Sequence, residues 1–343
     1  MKKIFLFFWV PFFAIGQSPV VTAFPSLRIP ASSRGLAMGD LGIASASENQ
    51  QLYYNVAKSA FTQNFHQVSV SYTPWLSSLS NDIRFVSVNY LGNVYNTSAM
   101  GVTLNYLNLG DITSRDNNGA SIATYHAREF NVGASFALQV NDKTSLGLAL
   151  KMLGQNTFTE TPKNRIGVCG DFSYYQFANV GDDPNQRIEW GIVVSNIGPK
   201  INSGDFTAKT CLPTNLGLGI GYATINGEDG SRFQISMDMN KLLVPGIFSS
   251  FNEPDQIKRI RISCGLEYGY MNEFFLRSGF SLENAGYGNR KFIGLGVGYK
   301  GLVMDQSLGI DFHYLVPYGT ATAVSPFQNS FGFSIHFSFG NFQ

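Results

Sequence analysis

Residues Ser231–Phe248, SRFQISMDMNKLLVPGIF, decide the fold. Phe233, Ile235, Met237 and Met239 are apolar, while Gln234, Ser236, Asp238 and Asn240 between them are polar. A period of two gives a strand two unlike faces, whereas a helix needs apolar residues every third or fourth position. After Lys241 the alternation stops. Leu242, Leu243 and Val244 run into the breaker pair Pro245-Gly246 and then Ile247 and Phe248, where a soluble protein places a hydrophilic turn. The connection is therefore expected to be covered, by a partner or by folding back over its own molecule.

Outward from this stretch the same period recurs from His66 to the C-terminus. Alternating segments read as His66 to Trp75, Asp82 to Leu91, Ala99 to Asn108, Ala127 to Val140, Lys143 to Leu153, Arg165 to Phe177 and Arg187 to Ile197. They continue as Pro213 to Ala223, Ser231 to Lys241, Ile257 to Tyr270, Glu273 to Glu283, Lys291 to Gly301, Val303 to Leu315 and Gln328 to Phe342. That is about fourteen, an even number, each long enough for a tilted crossing of about 9–11 residues. The expected fold is all-β: a transmembrane antiparallel β-barrel of about 14 strands. The alternative is a pair of β-sandwiches, but no linker or change of composition divides the chain.

The connections support the barrel, because bacterial barrels have short periplasmic turns and longer outer loops. Those at 92–98, 141–142, 178–186, 224–230, 271–272 and near 302 are short. The alternate set at 109–126, 154–164, 198–212, 242–256 and 316–327 is longer, with only 76–81 and 284–290 compact. This places both termini in the periplasm and the 242–256 connection outside the cell.

At the N-terminus Lys2 and Lys3 precede an apolar run from Ile4 to Ile15, with small residues at Ala14 and Gly16. That is the pattern of a signal peptide over 1–16, too short to cross a bilayer. The chain holds 24 Lys+Arg against 23 Asp+Glu, so no charge bias points to nucleic acid. Its 36 Gly, 29 Phe and 16 Tyr suit strands and interfacial girdles. Of three cysteines, Cys264 shares the apolar face with Ile260, Ile262 and Leu266, whereas Cys169 lies on the face of Asp171; with Cys211 they suggest no disulfide framework. Over 17–63 small residues and Gly35, Gly39 and Gly42 interrupt any periodic pattern, which reads as a short plug or a periplasmic leader.

Asp238-Met239-Asn240-Lys241-Leu242-Leu243-Val244-Pro245 resembles the Asp-x-Asn-Lys-Leu-Leu-Val-Pro signature of the PorV (LptO) family, outer-membrane barrels of the type IX secretion system. Ala31 to Ala60 resembles the N-terminal segment of that family and of fatty-acid-transporter-like (FadL-like) barrels, and Ser71-Tyr72-Thr73-Pro74-Trp75-Leu76 its first strand and loop. One departure is Asn55-Val56-Ala57, where such barrels often carry Asn-Pro-Ala. The resemblance implies that the 17–63 segment enters the lumen of the 64–343 barrel, with Arg34, Asp40 and Asn55 among its lumen contacts. It implies a component that accepts cargo bearing a C-terminal signal domain from the translocon barrel and delivers it to the surface attachment complex. The outer connection, Leu242, Leu243, Val244, Pro245, Ile247 and Phe248, is the expected contact surface, and lipid and lipopolysaccharide surround the wall. The aromatic last strand, with Phe331, Phe333, Ile335, Phe337, Phe339 and Phe342, looks like the segment that outer-membrane assembly machinery reads.

Residues suited to catalysis are poorly grouped. Ser334 and His336 share a strand face without a third partner, and His126 and Glu129 fall on opposite faces. Asp111, Asp116, Asn117 and Asn118 read as turn chemistry before a calcium site. The expectation is no enzyme, no cofactor and no metal. Arg84, Asn105, Asp171, Glu189, Asp238 and Asp311 are expected to face the lumen. Two other functions stay open: a FadL-like channel for hydrophobic solutes and, with the LptO name, a lipid A deacylase.

Overall fold

The computed structural model describes residues 22–46, 50–62, 64–76, 80, 82–116, 118–156, 164–202, 209–224, 230–244, 255–319, 327–328 and 330–341. The proposed signal peptide, Pro245, Ile247, Phe248, Asn117 and Phe342 lie outside them.

Alternation produces strands and strands produce closure. The wall comprises β1 (Asn64–Pro74), β2 (Ile83–Tyr95), β3 (Ser98–Arg115), β4 (Ser121–Asn141), β5 (Thr144–Asn156), β6 (Asn164–Val180) and β7 (Asp183–Ile197). A two-residue hairpin, β8 (Ile201–Asn202) and β9 (Lys209–Thr210), stands apart from it. The wall resumes with β10 (Asn215–Thr224), β11 (Arg232–Leu242), β12 (Ile260–Tyr270), β13 (Phe274–Leu282), β14 (Lys291–Val303), β15 (Gln306–Pro317) and β16 (Ser330–Asn341). These strands form one closed antiparallel barrel in which β1 pairs with β16 (Val70 opposite Ile335, Tyr72 opposite Phe333). Closure pairs each wall strand on both sides, the condition for crossing hydrocarbon with strands, while β3 beyond Leu109 and β4 before Glu129 run on as a ribbon paired with each other. Among the described residues no helix is long and apolar enough to cross a membrane.

On β11, Phe233, Ile235 and Met237 are 37–47% exposed on the outer wall, while Gln234, Ser236 and Asp238 are buried inside. The same holds on β16, where Phe331, Phe333, Ile335 and Phe337 face outward and Ser334 and His336 inward. All three cysteines are free, with Cys169 buried inside and Cys264 half-buried on the outer side.

Three boundaries differ from the sequence reading. β3 and β4 run on to Arg115 and from Ser121, so the loop expected at 109–126 contracts to a turn at 116–120 in which Asp116 Oδ1 accepts from the N–H groups of Asn118 (2.9 Å) and Ala120 (2.8 Å). The turn expected at 178–186 contracts to 181–182. β12 begins at Ile260, after a short helix, α3 (Asp255–Lys258), where the sequence suggested strand from Ile257. At the opposite barrel end Met304 and Asp305, both at positive φ (51° and 60°), make the two-residue hairpin between β14 and β15.

Candidate functional site

Residues 22–46 and 50–62 pack against the inward faces of the strands. The segment folds as a 3-10 turn (Pro25–Arg28), helix α1 (Ser33–Ala37), helix α2 (Gln51–Tyr54) and a second 3-10 turn (Val56–Phe61), with Leu36, Ala37, Met38, Ala44 and Lys58 at 0% exposure. Short helices satisfy backbone groups where no strand partner exists, and Ser32 caps α1 by accepting from the Gly35 N–H. Inward-facing glycines admit this backbone: a Cβ on Gly219 would lie 2.8 Å from the Ile43 Cβ, and one on Gly279 would overlap the Met38 carbonyl.

Polar inward residues grip the segment. Asp238 Oδ2 accepts from the N–H groups of Gly42 (2.7 Å) and Ile43 (3.0 Å). Arg34 donates to Glu267 through Nε (2.6 Å) and Nη2 (3.0 Å), a bidentate pair, and to Gln234 Oε1 (3.0 Å). Glu267 also accepts from Arg277 Nε (2.7 Å), whose Nη1 reaches Asp311 Oδ1 at 2.5 Å; Asp311 in turn meets His336 Nε2 at 2.8 Å. Lys58, fully buried, donates to the carbonyls of Gly42 (2.6 Å) and Ser45 (3.1 Å). Buried charges of this kind persist only where each has a partner.

Arg84 apart, the residues expected from the sequence to face the lumen make contacts there. Arg34 enters the network above; Asp40 pairs with Arg261 and accepts from the Tyr54 hydroxyl (3.2 Å). Asn55 donates to the carbonyls of Ile43 (2.9 Å) and Tyr174 (3.1 Å), while its Oδ1 accepts from the Ala57 N–H (3.0 Å) and caps the 3-10 turn. Val56 is therefore the first residue of that turn, the position where proline is tolerated, so the departure from Asn-Pro-Ala preserves the local geometry. Asp171 meets Lys151 (2.6 Å) and Glu189 meets Arg187 (2.6 Å) inside, and Asn105 donates to Asn131 (2.8 Å).

Arg84 is a correction: it is exposed, on the outer face with Val86, Val88 and Tyr90, because its neighbour Phe85 turns inward into an apolar cluster. That cluster joins Trp75, Leu107, Phe292, Leu315 and Phe327 to Ile29, Ala31 and Leu36. It closes part of the barrel end that carries the 242–256 connection. On the same end Ile201, in β8, and Leu212, just after β9, pack on Phe24 and Leu27, and the Ala23 N–H donates to the Cys211 carbonyl (2.9 Å). Of the expected contact surface, Leu242, Leu243 and Val244 are half-buried; Leu242 lines the remaining cavity and the Leu243 N–H donates to Thr214 (2.8 Å).

Sequence reading missed Glu267, Arg277 and Lys58. The first two carry the same signal as Asp238, a polar residue at an alternate strand position; Lys58 lies in an aperiodic stretch without such a signal. Ser334 accepts from the Ser33 N–H (3.2 Å) and contacts Gln50 (3.3 Å), and His336 engages Asp311, so both are occupied in holding the lumen together. Among the described residues no three His, Cys, Asp or Glu side chains are grouped to hold a metal ion.

Among solved structures the chain is similar to the Ralstonia pickettii toluene transporter TbuX, with 11% identity, TM-score 0.54, and 91% of this chain and 98% of that one covered. It is similar also to the Pseudomonas putida toluene transporter TodX (13%, 0.53, 90% and 97%) and to the CymD monoaromatic hydrocarbon channel (12%, 0.54, 91% and 98%). At these identities the likeness is one of fold, and it agrees with the expected kinship to FadL-like barrels. No curated protein matches the chain. The family model of "Type IX secretion system protein PorV" matches residues 14–248, which include the lumen segment, the Asp238 anchor and the apolar start of the connection after it, and the chain belongs to that family.

Proposed function

We propose that this barrel is the outer-membrane component of type IX secretion that takes cargo carrying a C-terminal signal domain from the translocon barrel and passes it to the surface attachment complex. The observation that carries this reading is the coupling on β11: Asp238 holds the lumen segment by two backbone N–H groups, and four residues later the apolar connection begins. A connection held at its root presents Leu242, Leu243 and Val244 from a paired strand, which lowers the ordering cost of binding, and Pro245, Ile247 and Phe248 continue the apolar sequence of the same contact surface. Apolar outer-wall residues sit in lipid and lipopolysaccharide, both termini lie in the periplasm, and residues 1–16 are removed on export.

The filled lumen argues against the solute-channel reading. Leu36, Ala37, Met38, Ala44 and Lys58 of the lumen segment are fully buried inside the wall, and the cavity beside Arg28 and Asp40 measures about 90 Å³. The deacylase reading is not supported at Ser334 and His336, which share a strand face but engage Ser33, Gln50 and Asp311 instead of each other.

In a deletion strain, proteins bearing the C-terminal signal domain should accumulate in the periplasm while fatty-acid uptake and lipid A stay normal. An epitope placed after Asn118 in the restored protein should label on intact cells, and one at Asp142 only after permeabilisation. Normal secretion with altered uptake or lipid A would overturn the function; reversed labelling would overturn the orientation.

A further inference from the structure

The cavity lined by Leu242 at the end of β11 has an unusual charge arrangement. Three arginines, Arg28, Arg261 and Arg290, share two carboxylates, Asp40 and Glu283, and all five line the space. Arg261 takes Asp40 directly, and Arg28 Nη2 takes Glu283 Oε1 at 3.1 Å. Arg290 is left at 3.8 Å from Asp40 and 3.7 Å from Glu283, ion-pair distances beyond hydrogen-bond reach. A fourth guanidinium, Arg259, lines the same cavity, 5.3 Å over the Tyr287 ring.

We infer that this cavity is a binding site for one small oxyanion, a phosphate or carboxylate group, held chiefly by Arg290 with Arg28, Arg259 and Arg261 around it. Guanidinium groups present planar pairs of N–H donors that match the oxygens of such groups, and carboxylates already present cannot fill those of Arg290 at the distances seen. The space, about 90 Å³, suits a single anionic head. Crowding of positive charge is felt at Arg28, where the neighbouring Arg290 and then burial lower the pKa to about 10. Side chains of Arg28, Arg261 and Arg290 keep 12–23% exposure, so the site communicates with water. Asp40 belongs to the lumen segment and Arg261 and Arg290 to the wall; an anion seated here would tie the two together.

This inference stands apart from the secretion reading and is tested on the purified full chain in detergent. Inorganic phosphate, followed by phosphorus NMR at constant ionic strength, should bind saturably. Arg290→Gln should weaken that binding at least about tenfold, Arg259→Gln should weaken it measurably, and Lys209→Gln, an exposed charge lost at the same barrel end, should change it less than about twofold. If Arg290→Gln fails to yield a heat-modifiable barrel, Arg259→Gln, which lies in the turn before β12, decides alone. Absence of saturable binding, or equal binding by the Arg259→Gln and Lys209→Gln proteins, would overturn the site. Displacement of phosphate by acetate, or by phosphatidic acid in mixed micelles, would uphold it and assign a carboxylate or a lipid headgroup as ligand; resistance to both with phosphate bound would uphold it for a free phosphate.

Discussion

The middle of the lumen and its mouth are built from the same side chains with opposite results. In the middle, Arg34, Arg277 and His336 all meet carboxylates at 2.5–3.0 Å, and Glu267 and Asp311 each serve more than one of them. At the mouth Arg290 stays 3.7–3.8 Å from its carboxylates, and Leu242, Leu243 and Val244 are only half-buried. A network whose charges are paired at hydrogen-bond distance holds the lumen segment to the wall. An unsaturated one retains affinity, which is why both the proposed contact surface and the proposed anion site fall at that end.

The contrast breaks first at Glu267. Glu267→Ala would leave Arg34 and Arg277 without their shared carboxylate and Arg232, 3.4 Å away, without its ion-pair partner, all at a site where the Glu267 side chain is 1% exposed. Removing one member of a buried charged network costs about 3–5 kcal/mol. The temperature at which the compact, unheated form disappears from a gel should fall markedly. Asp111→Ala, which removes half of a pair with His126 whose side chains are more than half exposed, should leave it nearly unchanged. Equal effects from the two substitutions would erase the distinction between a saturated interior and a solvated surface.

At the mouth the expected effect on stability is smaller and the effect on association larger. Replacing Leu242, Leu243 and Val244 with Ser should give a folded, heat-modifiable barrel that co-purifies poorly with translocon or cargo, because buried apolar anchors dominate most protein contacts. Loss of the barrel itself would mean that the connection serves its own molecule as a lid, as the β8–β9 hairpin does with Ile201 and Leu212 over Phe24 and Leu27. Unchanged barrel, partners and secretion would remove the contact surface altogether.

Legibility followed the same division. β11 was readable because one face meets lipid and the other meets backbone N–H groups, so polarity alternates at every residue from Phe233 to Asn240. β2 was not, because near the mouth apolar residues occupy both faces: Phe85 packs inward while Val86 and Val88 look outward, and Arg84 was assigned to the wrong side. The fourteen wall strands and their closure could be read; the lengths of β3 and β4 could not, since their pairing continues through polar residues without a hydrophobic period. Arg34, Asp40 and Asn55 were legible as lumen residues through the family resemblance. Their partners were not, because Arg34 and Glu267 are 233 residues apart and nothing in single-chain periodicity encodes that pairing.

The smallest expected effect lies where the lumen segment departs from the family pattern. Asn55 has extended backbone angles (φ −156°, ψ 101°), the region favoured before proline, and its side chain already accepts from the Ala57 N–H. Val56 follows as the first residue of the 3-10 turn, where its N–H is not required by the turn. Val56→Pro should therefore be nearly neutral, or stabilise by up to about 1 kcal/mol by restricting the unfolded chain. Asn55→Ala removes the cap and the donors to Ile43 and Tyr174, and should cost about 0.5–2 kcal/mol. Urea unfolding of the two refolded variants measures both. If Val56→Pro costs as much as Asn55→Ala, the turn does not have the geometry that proline fits, and the likeness to Asn-Pro-Ala at this point is one of letters alone.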